Sequence, residues 1–190
     1  PLLTFTSGST GRPKGAIRTH GILARQHDAL ADGISARAGE LDLVALPIVV
    51  LANLGSGART VLPGADLRRP GSIDSSRVLR QMARTRPTRI TAPPAFLERL
   101  VAPCLADGTM LPDIERIVTG GGPVFPDLVA RLRRAMPRAR VLSVYGSTEA
   151  EPIAHIAEEE STAADVGRVR GGGGLLAGAP VAQVRLRVIR

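Results

Sequence analysis

Arg89-Ile90-Thr91-Ala92-Pro93-Pro94, Glu115-Arg116-Ile117-Val118-Thr119-Gly120-Gly121-Gly122-Pro123 and Arg140-Val141-Leu142-Ser143-Val144-Tyr145-Gly146 decide the fold. Each is a short β-prone run that stops at proline or glycine. Between them lie stretches that read as helices, one from Pro94 to about Ala106 and one from Pro126 to about Met136. The rhythm extends upstream. Asp74 opens a helix to about Thr85, with Val78, Leu79 and Met82 at helical spacing. Leu43 to Leu46 and Thr60-Val61-Leu62 read as strands, and Val50 to Gly57 as a short helix. Thr19 caps a helix through about Ala38, with Ile22, Leu23, Leu30 and Ile34 on one face. Strands alternating with helices predict an α/β fold, a mostly parallel sheet flanked by helices. Such sheets bind ligands at the carboxyl ends of their strands.

The C-terminal part reads differently. Glu158-Glu159-Glu160 and Ala163 to Gly174 look like exposed, mobile chain. Val181 to Ile189 alternates apolar and polar residues, which predicts an antiparallel strand segment near the C-terminus. The expected organisation is an α/β core over 1–156, a flexible Gly/Glu-rich linker over 157–174, and the start of an antiparallel β segment over 175–190.

Composition narrows the function. Of the 190 residues 44% are hydrophobic and 22% charged, which excludes a disordered chain. The net charge is +8, carried by dispersed arginines, with Lys14 the single lysine. Either these arginines are solvated helix faces, or they serve a partner that bears phosphates. Three Phe, one Tyr and no Trp leave little for base stacking, so no nucleic-acid partner is expected. The longest uncharged stretch, Leu43 to Ala58, has 16 residues and contains Pro47. A bilayer span needs about 20, so no membrane span is expected. One cysteine, Cys104, excludes an internal disulfide and a cysteine metal site, and suits a reducing, cytoplasmic setting. His20, His27 and His155 are too scattered for a metal site. Pro1 is not an initiator Met, so a trimmed chain or a piece of a longer one is expected.

Leu2-Leu3-Thr4-Phe5-Thr6 reads as a buried strand that runs into Ser7-Gly8-Ser9-Thr10-Gly11-Arg12-Pro13-Lys14-Gly15. Glycines let backbone approach a ligand closely. Hydroxyls and backbone N–H groups then wrap polyphosphate oxygens, and a lysine neutralises them. Pro13 sits where the second glycine of a Walker loop belongs, and a nucleophile elbow does not fit either. A flexible polar linker is the other reading.

Thr6 to Gly15 resembles the phosphate loop of the adenylate-forming, AMP-binding enzymes, which include acyl-CoA synthetases, luciferases and peptide-synthetase adenylation domains. Val144-Tyr145-Gly146-Ser147-Thr148-Glu149 matches that family's Y-G-x-T-E segment, and Gly120-Gly121-Gly122-Pro123 resembles its loop around the adenine and acyl pocket. The resemblance implies an ATP or AMP site made by Thr6, Ser7, Gly8, Ser9, Thr10, Gly11 and Lys14 on the β- and γ-phosphates. Gly120 to Pro123 and Tyr145 would frame the purine, followed by Gly146, Ser147 and Thr148, with Thr148 on the α-phosphate. Glu149 would bind Mg²⁺, and Thr148, Glu149 and Lys14 would be the catalytic groups. A core Tyr beside a surface Glu is the alternative.

The implied reaction is ATP-dependent activation of a carboxylic acid as an acyl-adenylate, for transfer to coenzyme A or for internal lactone formation. The resemblance covers the middle of such an enzyme. The family's ribose-binding Asp and its C-terminal catalytic Lys would lie beyond Arg190, so the piece alone is expected to bind nucleotide but react slowly or not at all. The peptide-synthetase adenylation domains of that family place an Asp after an aromatic in the segment equivalent to Pro47 to Asn53, which here holds neither; the resemblance therefore disfavours an amino-acid substrate and leaves an aliphatic lining or plain core packing. Ala150-Glu151-Pro152-Ile153-Ala154 resembles the β-lactone synthetases of olefin biosynthesis and related fatty-acyl ligases. A non-catalytic remnant that binds a nucleotide or a partner is the competing reading.

Overall fold

The computed structural model describes residues 1–6, 14–31, 34–111 and 113–187, with Thr6 described for its backbone only. It shows a mixed α/β fold with a seven-stranded main sheet and a separate two-stranded sheet. The small sheet is an antiparallel hairpin of β1 (Leu2–Thr6) and β2 (Lys14–Arg18). Helix α1 (His20–Ala31) follows, with Thr19 as its cap: the Ile22 N–H donates to Thr19 Oγ1 at 3.2 Å. Then come β3 (Leu41–Val44), α2 (Pro47–Gly55), β4 (Arg59–Val61) and α3 (Ser75–Thr85). Next are β5 (Arg89–Ala92), α4 (Pro94–Asp107), β6 (Arg116–Gly120) and α5 (Pro126–Ala135). The chain continues through β7 (Arg140–Ser147), β8 (Ala150–Ala157), α6 (Ala163–Arg170) and the short β9 (Ala179–Pro180).

The main sheet has the order β4-β3-β5-β6-β7-β8-β9. The pairs from β4 to β7 are parallel, and β8 and β9 add antiparallel strands. Successive residues of the central strands serve opposite faces. Ile90, Ile117 and Val141 pack with Phe96, Leu100 and Leu132 of the helices on one face. Val118 faces the other way and packs with Leu30, Ile34 and Ala52. Prolines at the first turns of α2, α4 and α5 start helices where an N–H would lack a partner anyway. Asp74 caps α3 by accepting from the Arg77 N–H at 3.1 Å.

Several sequence expectations shift. The segment Leu2 to Thr6 is not a buried strand of the parallel sheet. Leu3, Phe5 and Ile17 share a hairpin face and are 53%, 65% and 71% exposed. An apolar run alone does not distinguish a central strand from one face of a hairpin. The loop after Thr6 therefore leaves a hairpin strand, not a strand end of the main sheet. Helix α1 ends at Ala31, short of Ala38, and α2 begins earlier than Val50, at Pro47.

The C-terminal expectations change as well. Within 157–174, read as a linker, Glu158–Glu160 forms a 3₁₀ turn and α6 is a capped helix. The Asp165 N–H donates to Thr162 Oγ1 at 3.2 Å, and the Thr162 N–H to Asp165 Oδ2 at 3.1 Å. This reciprocal cap offsets a polar, glycine-bearing composition. The strand expected over Val181 to Ile189 is absent over 181–187, and 188–190 lie outside the described residues. Antiparallel pairing falls at Ala179–Pro180 instead.

Candidate active site

The turn after β6 is glycine for steric reasons. Gly120 pairs with Val144 across the parallel ladder, and a Cβ there would collide with the Val144 carbonyl oxygen. Gly121 has φ +73°, a left-handed conformation that side chains disfavour. The turn therefore hugs β7. Just before it, Thr119 is buried, and its Oγ1 has no partner among the described residues.

Strand β7 does not stop at Tyr145-Gly146 but continues to Ser147 and turns back through Thr148 and Glu149 into β8. The hairpin register slips between Tyr145 and Ser147. Such irregularities re-aim side chains at sheet edges. The Ala150 N–H donates to Ser147 Oγ at 3.3 Å, which ties the turn. Tyr145 and Glu149 are exposed.

These two loops face one cavity of about 990 Å³. Gly120, Gly121, Gly122, Pro123, Tyr145, Gly146, Ser147, Thr148 and Glu149 all line it, which brings every sequence-expected site residue of both loops together. Its apolar wall comes from Leu30, Ile34, Leu46, Ile48, Val49 and Val118. The segment Pro47 to Asn53 thus has a split role. Ile48 and Val49 face the cavity, while Ala52 and Asn53 are buried in the fold.

Arg18, which sequence reasoning missed, joins the hairpin to this site. It is buried at the end of β2. Its Nη2 donates to the Thr148 carbonyl at 2.7 Å and lies 3.6 Å from Glu151 Oε2. Its Nη1 donates to Gln26 Oε1 at 2.7 Å, and its Nε to Thr4 Oγ1 at 3.3 Å. Gln26 and Glu151 both line the cavity. Burial raises the Glu151 carboxyl above its ordinary value, and Arg18 opposes that rise. Lys14 is exposed at the start of β2, paired in register with Thr6. Ser7, Gly8, Ser9, Thr10 and Gly11 lie outside the described residues.

A polar network supports the cavity floor. Thr91 lines the cavity and donates to Asp42 Oδ2 at 2.8 Å. Asp42, fully buried, also accepts from Asn53 Nδ2 at 3.0 Å and faces Arg89 Nε at 3.4 Å. Arg89 Nη2 donates to the Ile34 carbonyl at 2.5 Å, and Arg116 Nη2 to the Ser35 carbonyl at 2.7 Å. Burial lowers both guanidinium pKa values, while Asp42 and Glu40 push the other way. The network fixes the turn that carries Ile34 into the cavity wall. A β-prone run with Asp, Arg and Thr at inward positions was its only sequence signal.

Among the described residues no cluster of three or more His, Cys, Asp or Glu forms a metal cage. His20 starts α1, and His27 packs against Gly55. Cys104 is buried and unpaired. No described helix is long and apolar enough to cross a membrane.

The family profile of the AMP-binding enzymes matches residues 2–189. The chain belongs to the AMP-binding enzyme family. It is 33% identical over 190 residues to an olefin beta-lactone synthetase of Stenotrophomonas maltophilia, covering 98% of this chain and 33% of the relative. It is also 33% identical over 170 residues to a feruloyl-CoA synthase of Amycolatopsis, covering 85% of this chain and 34% of that one. This AMP-binding chain thus spans about a third of the length of these curated relatives. A solved O-succinylbenzoate coenzyme A synthetase (MenE) from Bacillus subtilis, in complex with ATP and magnesium ion, superposes with a TM-score of 0.69. Identity there is 26%, over 95% of this chain and 35% of that one.

Proposed function

We propose that this chain forms the nucleotide-facing part of a ligase that uses ATP to activate a carboxylic acid as an acyl-adenylate. One observation carries the reading: the glycine turn after β6 and the Tyr145–Glu149 turn line a single cavity with an apolar wall. In the reaction a carboxylate oxygen attacks the α-phosphorus, the bond to the bridging oxygen breaks, and pyrophosphate leaves. Two anions must meet, so alignment and neutralisation are the protein's work.

Tyr145 lies against the purine, with the glycine turn on its other side. The Thr148 hydroxyl donates to the α-phosphate, and Arg18 holds the Thr148 backbone. Lys14 and donors from Thr6 to Thr10 neutralise the outer phosphates. Glu149 would hold the Mg²⁺ that accompanies the nucleotide, and that ion would supply charge neutralisation at the triphosphate. A lone exposed carboxylate suits this ion, which keeps most of its shell from water and phosphate oxygens rather than from a protein cage.

The apolar wall of Leu46, Ile48, Val49, Val118, Leu30 and Ile34 favours an aliphatic or fatty acid over an amino acid. The acceptor is coenzyme A or a hydroxyl of the acid itself, the outcomes named for the two relatives. The setting is the cytoplasm, where an unpaired Cys104 is at home, with no nucleic-acid partner.

Titration calorimetry with Mg-ATP tests the reading, run with and without aliphatic acids or amino acids. Saturable Mg-ATP binding, weakened by Thr148→Ala and Glu149→Ala and enhanced by an aliphatic acid, is the expected result. Binding that ignores both substitutions points to a remnant that has kept only the fold. Enhancement by amino acids alone refutes the aliphatic assignment.

A further inference from the structure

A second cavity, of about 320 Å³, lies between α5, α6 and the β7–β8 hairpin. Val129 and Ala130 of α5, Val141 and Ile156 of the strands, and Val166 and Val169 of α6 line it. Helix α6 covers this space without filling it: none of its residues is buried. Polar ties hold the helix instead. Arg170 Nη2 donates to Asp127 Oδ1 at 2.7 Å, and the Thr162–Asp165 box caps its start. Val166 and Val169 therefore line a space whose wall is mostly aliphatic, with Ser143, Glu158, Ser161 and Arg170 completing it.

The second cavity is not isolated. Val124, Ser143, Leu175 and Leu176 line it and the main cavity alike. Leu175 and Leu176 are each 41% exposed and belong to an irregular segment held by no helix or strand. Gly174 and Gly178, at φ +85° and +83°, bracket that segment. A divider of two loosely packed leucines needs little energy to move aside.

We propose that the second cavity receives the distal hydrocarbon of the acid whose carboxyl is activated in the main cavity. This deepens the acyl-adenylate reading and rests on it. The occupant is the tail of that same acid, because most of the chamber's lining is aliphatic, beside Ser143, Glu158, Ser161 and Arg170, and it adjoins the main cavity through four shared residues. Ala130 of α5 and Val169 of α6 both line the chamber, so a larger side chain at either position would narrow it.

The test measures binding of non-hydrolysable acyl-sulfamoyl adenosines, graded from butanoyl to hexadecanoyl, to the intact chain. Each buried methylene is expected to tighten binding about fourfold, and the series should keep tightening beyond the length that fills the main cavity. Ala130→Phe and, separately, Val169→Phe should abolish the gain for long chains while leaving AMP and the butanoyl compound unchanged. Leu176→Ala should leave the long-chain gain intact or enlarge it. Long-chain affinity untouched by both Phe variants overturns the proposal. Failure of AMP and the butanoyl compound to bind the wild-type chain overturns the acyl-adenylate reading itself.

Discussion

Arg18 and Thr148, 130 residues apart in sequence, are joined by a 2.7 Å hydrogen bond from the guanidinium to the main-chain carbonyl. The bond links two segments that share no sheet. One is the β1–β2 hairpin that carries Lys14, and the other is the turn that carries Glu149. Arg18→Ala should weaken Mg-ATP binding by about 1–3 kcal/mol, the scale for losing a charge-assisted contact. Arg18→Lys should recover part of it, because an ammonium replaces only one arm of the fork. Calorimetry beside urea unfolding separates this loss from global destabilisation, and equal affinity in the Ala variant would exclude a positioning role.

Thr148→Ala and Glu149→Ala should each weaken Mg-ATP by about 1–3 kcal/mol. They differ in their magnesium response. With Glu149→Ala, the affinity gained by adding Mg²⁺ to ATP should shrink, whereas Thr148→Ala should preserve it. Titrations with and without EDTA read the difference.

Glu151 links pH to stability. Its carboxyl is raised above the usual 4.5 by burial, so the folded chain holds this proton more tightly than the unfolded chain. Its contribution is full below that value and is lost as pH climbs through the raised one. Glu151→Gln should flatten the stability curve just above pH 4.5. Urea midpoints across that range measure it, and parallel wild-type and variant curves would contradict the assignment.

Asp42 is the most exacting residue under the cavity. Asp42→Ala leaves the buried Arg89 guanidinium with only the more distant, partly exposed Glu40 carboxylate at 3.8 Å and should cost about 3–5 kcal/mol. Asn53→Ala removes one hydrogen bond to the Asp42 carboxylate but leaves the Arg89 ion pair in place, and about 1.5–3 kcal/mol is expected. Chemical denaturation of both variants checks the order. An Asp42→Ala loss no larger than that of Asn53→Ala would show that the network contributes little.

The parallel core was legible because local signals agreed with one another. Asp74 caps α3, prolines start α4 and α5, and Arg89 to Ala92 forms the expected strand. The glycine turn and the Tyr145 segment were legible for the same reason, since each adjoins a recognisable strand. What stayed hidden was tertiary. Nothing near Leu3 or Phe5 says that they face outward on a hairpin. Arg18 looks like any other arginine until the fold sets it beside Thr148. Val181 to Ile189 alternates as a strand should, yet after the Val181 N–H, which donates to the Ile153 carbonyl at 3.0 Å, residues 182–187 form no strand, because alternation supplies a face and not a partner. Helix α6 depends on a two-residue cap that an acidic, glycine-bearing stretch concealed.

A crystal structure with Mg²⁺ and a non-hydrolysable ATP analogue would probe one shared nucleotide site most directly. The purine should lie between Tyr145 and the Gly120–Pro123 turn, with the metal at Glu149 and the outer phosphates toward Lys14. A nucleotide bound elsewhere, or bound with Glu149 and Lys14 on opposite sides and only one touching it, would refute that site.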